Sequence, residues 1–172
     1  MSAGDIDDHI AGEVEYQRVL VNPQVRSYFS RAHTLPIIRD FDIPFGAGIS
    51  SDGERRYIDR HLRILWRGRD LSHVLAAHES FEWAARRFAG IGVDYASDSR
   101  GHELANRAEF LALGKLFPGA NLWVAYNAFI DPQVKREETE SIINPPKDLA
   151  LYPYRGTPMA AHLISKGVED VD

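Results

Sequence analysis

The chain has 172 residues, 44% hydrophobic and 26% charged, with a formal net charge of −5; that is enough for one domain with a real core, and the acidic balance argues against a general nucleic-acid binder, which needs a basic surface to neutralise phosphates. Cysteine is absent, which excludes disulfides and thiolate zinc sites, leaves His, Asp and Glu as metal ligands and fits a cytoplasmic location. The opening MSAGDIDDHIAGE is acidic and lacks the apolar core of a secretory signal, and no apolar run approaches the roughly 18 residues of a membrane span.

Residues 1–12 are expected to form a flexible acidic N-terminus, and residues 13–172 a single domain. A weakly helical pattern runs from about Ala11 to Leu20. Asn22-Pro23 interrupts it, and Pro23 can open a second short helix to about Ala32 because proline suits the first helical position. In FDIPFGAGISSDGERRYIDRHL, the pair Asp52-Gly53 is a turn signal between two β-like runs. It predicts a hairpin of roughly Ile43–Ser50 and Arg56–His61. Asp70 or Ser72 can cap a helix to about Phe88, which the following glycines end. A loop with Val93, Asp94 and Tyr95 leads to a long helix from about Ser97 to Phe117, broken by Pro118-Gly119. Another helix is predicted over Asn121–Phe129. Asp131-Pro132 then reads as a cap and first position of a further helix to about Ile143, stopped by Asn144-Pro145-Pro146. The proline-rich tail LYPYRGTPMAAHLI is expected to pack as an extended arm. The fold class is α+β, mostly helical, with a small antiparallel hairpin or sheet.

Two of these helices carry unusual apolar stripes. The first has Val74, Leu75, His78, Phe81, Glu82, Ala85 and Ala89 on one face. The second has His102, Ala105, Glu109, Ala112 and Leu116. A lone inward histidine is ordinarily a hydrogen-bonded core residue. An imidazole buried beside a carboxylate is costly unless both are satisfied, and two helices that bring His and Glu inward in step can build a metal site. The plainer alternatives are a buried His78–Glu82 hydrogen bond and a His102/Glu109 pair satisfied by Arg63 or Arg67.

The order within HESFEW sharpens the metal reading. His78-Glu79-x-x-Glu82 is the zinc-protease HExxH pattern with its last histidine replaced by glutamate. Positions 78 and 82 share a helix face, whereas Glu79 lies about 100° further round and can hold a water. With His102 the ligand set is two histidines and one carboxylate, which suits zinc. Non-haem iron uses the same set, but in a strand barrel that this helical pattern does not support. Glu79 could instead pair on the surface with Arg86. Asn106 could orient a ligand, and Tyr95 or Tyr126 could donate to an oxyanion, although such tyrosines are more often core residues with a wet tip. His61 and His73 are rival ligands without patterned partners. Arg86-Arg87 reads as a solvated face.

Across roughly residues 40–155, the segments GAGISSDGERRYIDRHL, HESFEWA, Tyr95, HELANRAE and PPKDLALYPY occur in the order of a known pattern. It comprises a YIDR-type strand, an HExxE or similar helix, an H-x-x-A-x-x-A-E helix and a P-x-D-L-x-x-Y tail. In this the chain resembles a family of phage and prophage proteins regarded as zincin-like metallopeptidases. The resemblance implies a zincin-like fold with a small sheet beside the active-site helix, and a zinc ion on His78, Glu82 and His102. Glu109 would be a fourth ligand or the partner of one, and Glu79 the base that activates water. A peptidase or amidase of this kind is expected to act on a peptide or protein substrate in the cytoplasm, that of the host if the chain is phage-encoded. The strand near Tyr57–Arg60 would be a sheet edge able to align an extended peptide. The competing reading is a phage structural or host-interaction protein in which the metal only staples two helices.

Overall fold

The computed structural model describes residues 10–93, 100–135 and 139–171, with Lys135 by its backbone alone. Its first helices follow their local chemistry. Helix α1 (Glu13–Leu20) is followed at once by α2 (Pro23–Ala32). The Asn22 side chain accepts the backbone N–H groups of Gln24 and Val25 at 3.0 and 3.2 Å. Those donors have no partner inside the helix, so the cap is worth about 1 kcal/mol. Before α1, Ala11 is buried and donates its N–H to the Glu103 carbonyl.

Three short strands form a sheet of order β1-β3-β2. Strand β2 (Ala47–Ile49) runs antiparallel to β3 (Arg56–Ile58), and β1 (Ile37–Ile38) lies parallel to β3 on its other side. The hairpin therefore turns at Asp52-Gly53 as expected, with shorter strands. Gly53 has φ +75°, and a Cβ there would fall 2.7 Å from the Trp83 ring, so no side chain fits. Trp83 Nε1 donates to the Ser51 carbonyl at 3.2 Å and the Tyr28 hydroxyl to the Gly53 carbonyl at 2.6 Å. The expectation that the strand near Tyr57 is an edge is corrected: β3 is central. Beyond β2 the tail adds itself to the sheet, with Ala150 N–H on the Ile49 carbonyl and Ser51 N–H on the Asp148 carbonyl.

A second hairpin, β4 (Leu65–Trp66) with β5 (Arg69–Asp70), went unread in the sequence. Arg67 and Gly68 both have positive φ, 50° and 75°, which is the requirement of the tight turns favoured in two-residue hairpins. Directly after it, α3 (Ser72–Ala89) starts with Ser72 N–H on the Asp70 carboxylate and ends at Gly90, φ 67°. Helix α4 (Arg100–Leu116) packs along α3, which also contacts α2, β2 and β3. Strand alternation divides the core. Ile58 joins Leu62, Leu71, Val74 and Leu75 on the α3 side, while Tyr57 joins Leu149, Leu151, Tyr154 and Leu163 of the tail on the other. The expected start of the second long helix, near Ser97, lies outside the described residues, as does Tyr95.

Two further expectations are corrected. Asp131-Pro132 does not open a new helix: α5 (Trp123–Lys135) runs through it. Proline there removes one intrahelical bond close to the helix end, where few remain to be lost. The tail is not wholly extended. It forms a 3-10 turn at Tyr152–Tyr154 and then α6 (Pro158–Ser165), whose Met159 and Leu163, four apart, are buried. The result is a mixed α+β domain with six α-helices and two small sheets among the described residues. No described helix is long and apolar enough to cross a membrane.

Candidate metal centre

Helical spacing places His78 and Glu82 one turn apart on α3, and the α3–α4 contact brings His102 and Glu109 against them. His78 is 8% exposed, Glu82 1% and Glu109 8%. One Glu82 oxygen, Oε2, lies 3.4 Å from His78 Nε2 and 3.6 Å from His102 Nδ1. It is buried and makes no hydrogen bond. Such distances are too long for good hydrogen bonds. They are close to the roughly 3.3–3.4 Å that separates two donors on a tetrahedral ion with bonds of about 2.0–2.1 Å. One ligand atom from each of His78, Glu82 and His102 lies within 4.8 Å of the others. Two imidazoles and a carboxylate fit zinc or a similar divalent ion.

Glu109 occupies a different place. One of its oxygens accepts the Nδ1 hydrogen of His78 at 2.8 Å, and the other accepts the Tyr126 hydroxyl at 2.5 Å. An ionised carboxylate can only accept, so Nδ1 carries the hydrogen and Nε2 faces Glu82. That carboxylate-to-histidine arrangement commonly fixes the tautomer of a metal-binding histidine. Tyr126 is fully buried and stacked on Trp123 with centroids 5.6 Å apart.

The buried groups of the cluster shift one another's proton affinities. Burial opposes the charge on His78, but Glu109 and Glu82 outweigh it and hold its pKa well above the usual 6.5. Burial pushes Glu82 up, yet the His102 and His78 rings beside it draw its carboxyl down to about 2. Glu79 goes the other way. Burial, reinforced by the charges of Glu82 and Glu109 and opposed by His78, pushes it up to about 8. Burial and the Glu109 charge likewise raise the Tyr126 phenol well above 10.

The cluster opens on a cavity of about 570 Å³, which Glu79 and Asn106 also line. Its other walls come from elements distant in sequence: Pro44 and Phe45, Trp123 to Val134 of α5, and Pro153-Tyr154 of the tail. Sequence reasoning missed these walls, because the motif signals sit on α3 and α4 alone. The one local sign at Phe45 is backbone strain. It has φ 60°, uncommon for a bulky residue, stays half-exposed and stacks on Tyr154 with centroids 6.1 Å apart.

The rival residues lie elsewhere. His61 and His73 are exposed. Arg63 and Arg67 sit over the rings of Phe129 and Trp66, 5.5 and 4.8 Å from the centroids, and Arg86 over Tyr152 at 4.6 Å. No family model, curated protein or solved structure matches the chain.

Proposed function

We propose that the protein is a zinc-dependent hydrolase, a peptidase or amidase of zincin-like design, with His78, Glu82 and His102 as ligands. The observation that carries this reading is the buried Glu82 Oε2, flanked by two imidazole nitrogens at 3.4 and 3.6 Å without a hydrogen bond. The order of the HESFEWA and HELANRAE segments, and α3 packed on the sheet, are in keeping with it.

A divalent ion supplies Lewis acidity, which polarises a carbonyl and makes water nucleophilic near neutral pH. The chain's own residues then have separate tasks. Glu79, one position past a ligand and lining the cavity, takes the proton of the attacking water and returns it to the leaving amine. Glu109 keeps His78 in the tautomer that frees Nε2, and Tyr126 holds Glu109.

Both Glu109 oxygens are engaged, which favours three protein ligands and an open position over a closed, purely structural staple. The deciding experiment is elemental analysis of protein purified without added metal, alongside turnover of a peptide library. About one zinc per chain with cleavage that chelator abolishes is expected. Protein that carries no metal and takes up none from a zinc buffer would sink the reading. Metal without turnover would leave only the staple.

A further inference from the structure

A second, larger cleft lies on the other side of α3, lined by Val74, Ala77 and Ser80 of that helix together with parts of α1, α2 and α4. Its volume is about 1050 Å³, and it shares only Trp123 with the lining of the metal-centre cavity. Strand alternation turns Arg56 toward this side, opposite to Tyr57. Arg56 is 2% exposed and lines the cleft. One guanidinium nitrogen donates to the Leu35 carbonyl at 2.9 Å, while Nε has no partner. No carboxylate pairs with it among the described residues. Arg31, Arg55, Arg60 and Arg100, by contrast, each have one.

A buried cation left without a counter-charge is costly. The cleft is also biased in charge. Its lining holds Arg26, Arg56 and Lys115 against a single carboxylate, Asp70, in a chain of net charge −5. Most of the remaining wall is apolar, including Leu20, Phe29 and Leu111. Small-ligand sites typically combine such walls with a few placed polar groups in about 300–1,000 Å³.

We propose that this cleft binds a carboxylate carried on an apolar body, with the Arg56 guanidinium as its counter-charge. Arginine suits the role because its planar fork matches a carboxylate geometrically. The inference is independent of the metal centre.

Calorimetric titration with octanoate tests it, with 1-octanol and inorganic phosphate as comparison probes. Wild-type protein is expected to bind octanoate at least about tenfold more tightly than 1-octanol or phosphate, and Arg56→Met to weaken octanoate by at least about tenfold. Ala77→Phe, which fills the cleft and keeps Arg56, is expected to remove octanoate binding with an unchanged melting temperature. That variant and the two comparison probes decide the matter if Arg56→Met fails to fold. Absence of octanoate binding would overturn the proposal. So would equal binding of 1-octanol, which marks an apolar crevice only. Equal binding of phosphate would overturn it as well, since that marks a small-anion site.

Discussion

Glu109 stands behind His78, with one oxygen on its Nδ1 at 2.8 Å and the other on the Tyr126 hydroxyl at 2.5 Å. It is therefore placed to orient His78 instead of joining the His78, Glu82 and His102 group. His102, two helical turns earlier on α4, is separated from Glu109 by a rise of about 10.5 Å, too long for both to reach one ion on a straight helix. Glu109→Gln should weaken zinc binding about 10–100-fold without abolishing it. Competition with a chromogenic chelator measures this. An unchanged affinity would detach Glu109 from the site, and complete loss would make it a ligand.

Removal of a ligand should act differently. His78→Ala and His102→Ala are each expected to lose bound zinc. Zinc should raise the melting temperature of the wild type and of neither variant, because a ligand stabilises only the state that binds it. Full metal content in both would show that the ion sits elsewhere.

Glu79 lines the cavity but is not among the three clustered residues His78, Glu82 and His102. Glu79→Gln should retain zinc and a near wild-type melting temperature while hydrolysis falls by about 10²–10⁴-fold, the usual contribution of a positioned acid–base group. Parallel metal analysis and kinetics separate the two effects. Zinc loss in this variant would turn the base into a ligand.

The Tyr126 hydroxyl satisfies a buried Glu109 oxygen. Tyr126→Phe removes that donor and keeps the ring stacked on Trp123. A buried acceptor left unsatisfied costs about 1–3 kcal/mol. Denaturant unfolding of metal-free protein should show a loss of that size, with zinc affinity lowered less than in Glu109→Gln.

Asp42 offers a test away from the site. Burial pushes its carboxyl up, but the backbone N–H groups of Asn144 and Ile143 and the Arg60 guanidinium outweigh that and hold it below the ordinary 3.8. Because the folded value is depressed, its stabilisation is complete above pH 3.8 and fades as pH falls through the lowered value. Asp42→Asn should cost about 2–3 kcal/mol near neutral pH and flatten the acid limb of the stability profile. An acid limb of unchanged steepness would contradict the assignment.

Local chemistry determined much of the secondary structure. Asn22-Pro23, Asp52-Gly53 and Gly90 mark their helix start, turn and helix end because side-chain caps and positive φ are requirements of single residues. The inward faces of His78, Glu82, His102 and Glu109 were likewise legible, since helical periodicity alone sets them. Where Glu109 stands relative to the others was not, because it depends on how α4 lies against α3. The central place of β3 was hidden too: its parallel partner β1 lies 18 or more residues earlier, and pairing at that distance leaves no local pattern. Pro132 misled for the complementary reason. Its propensity favours a helix start, yet α5 carries through it with Trp123, Tyr126 and Ile130 buried in the core. Tertiary packing also decided both clefts. Their walls gather residues far apart in the chain, and only the folded arrangement leaves Arg56 buried without a counter-charge among the described residues.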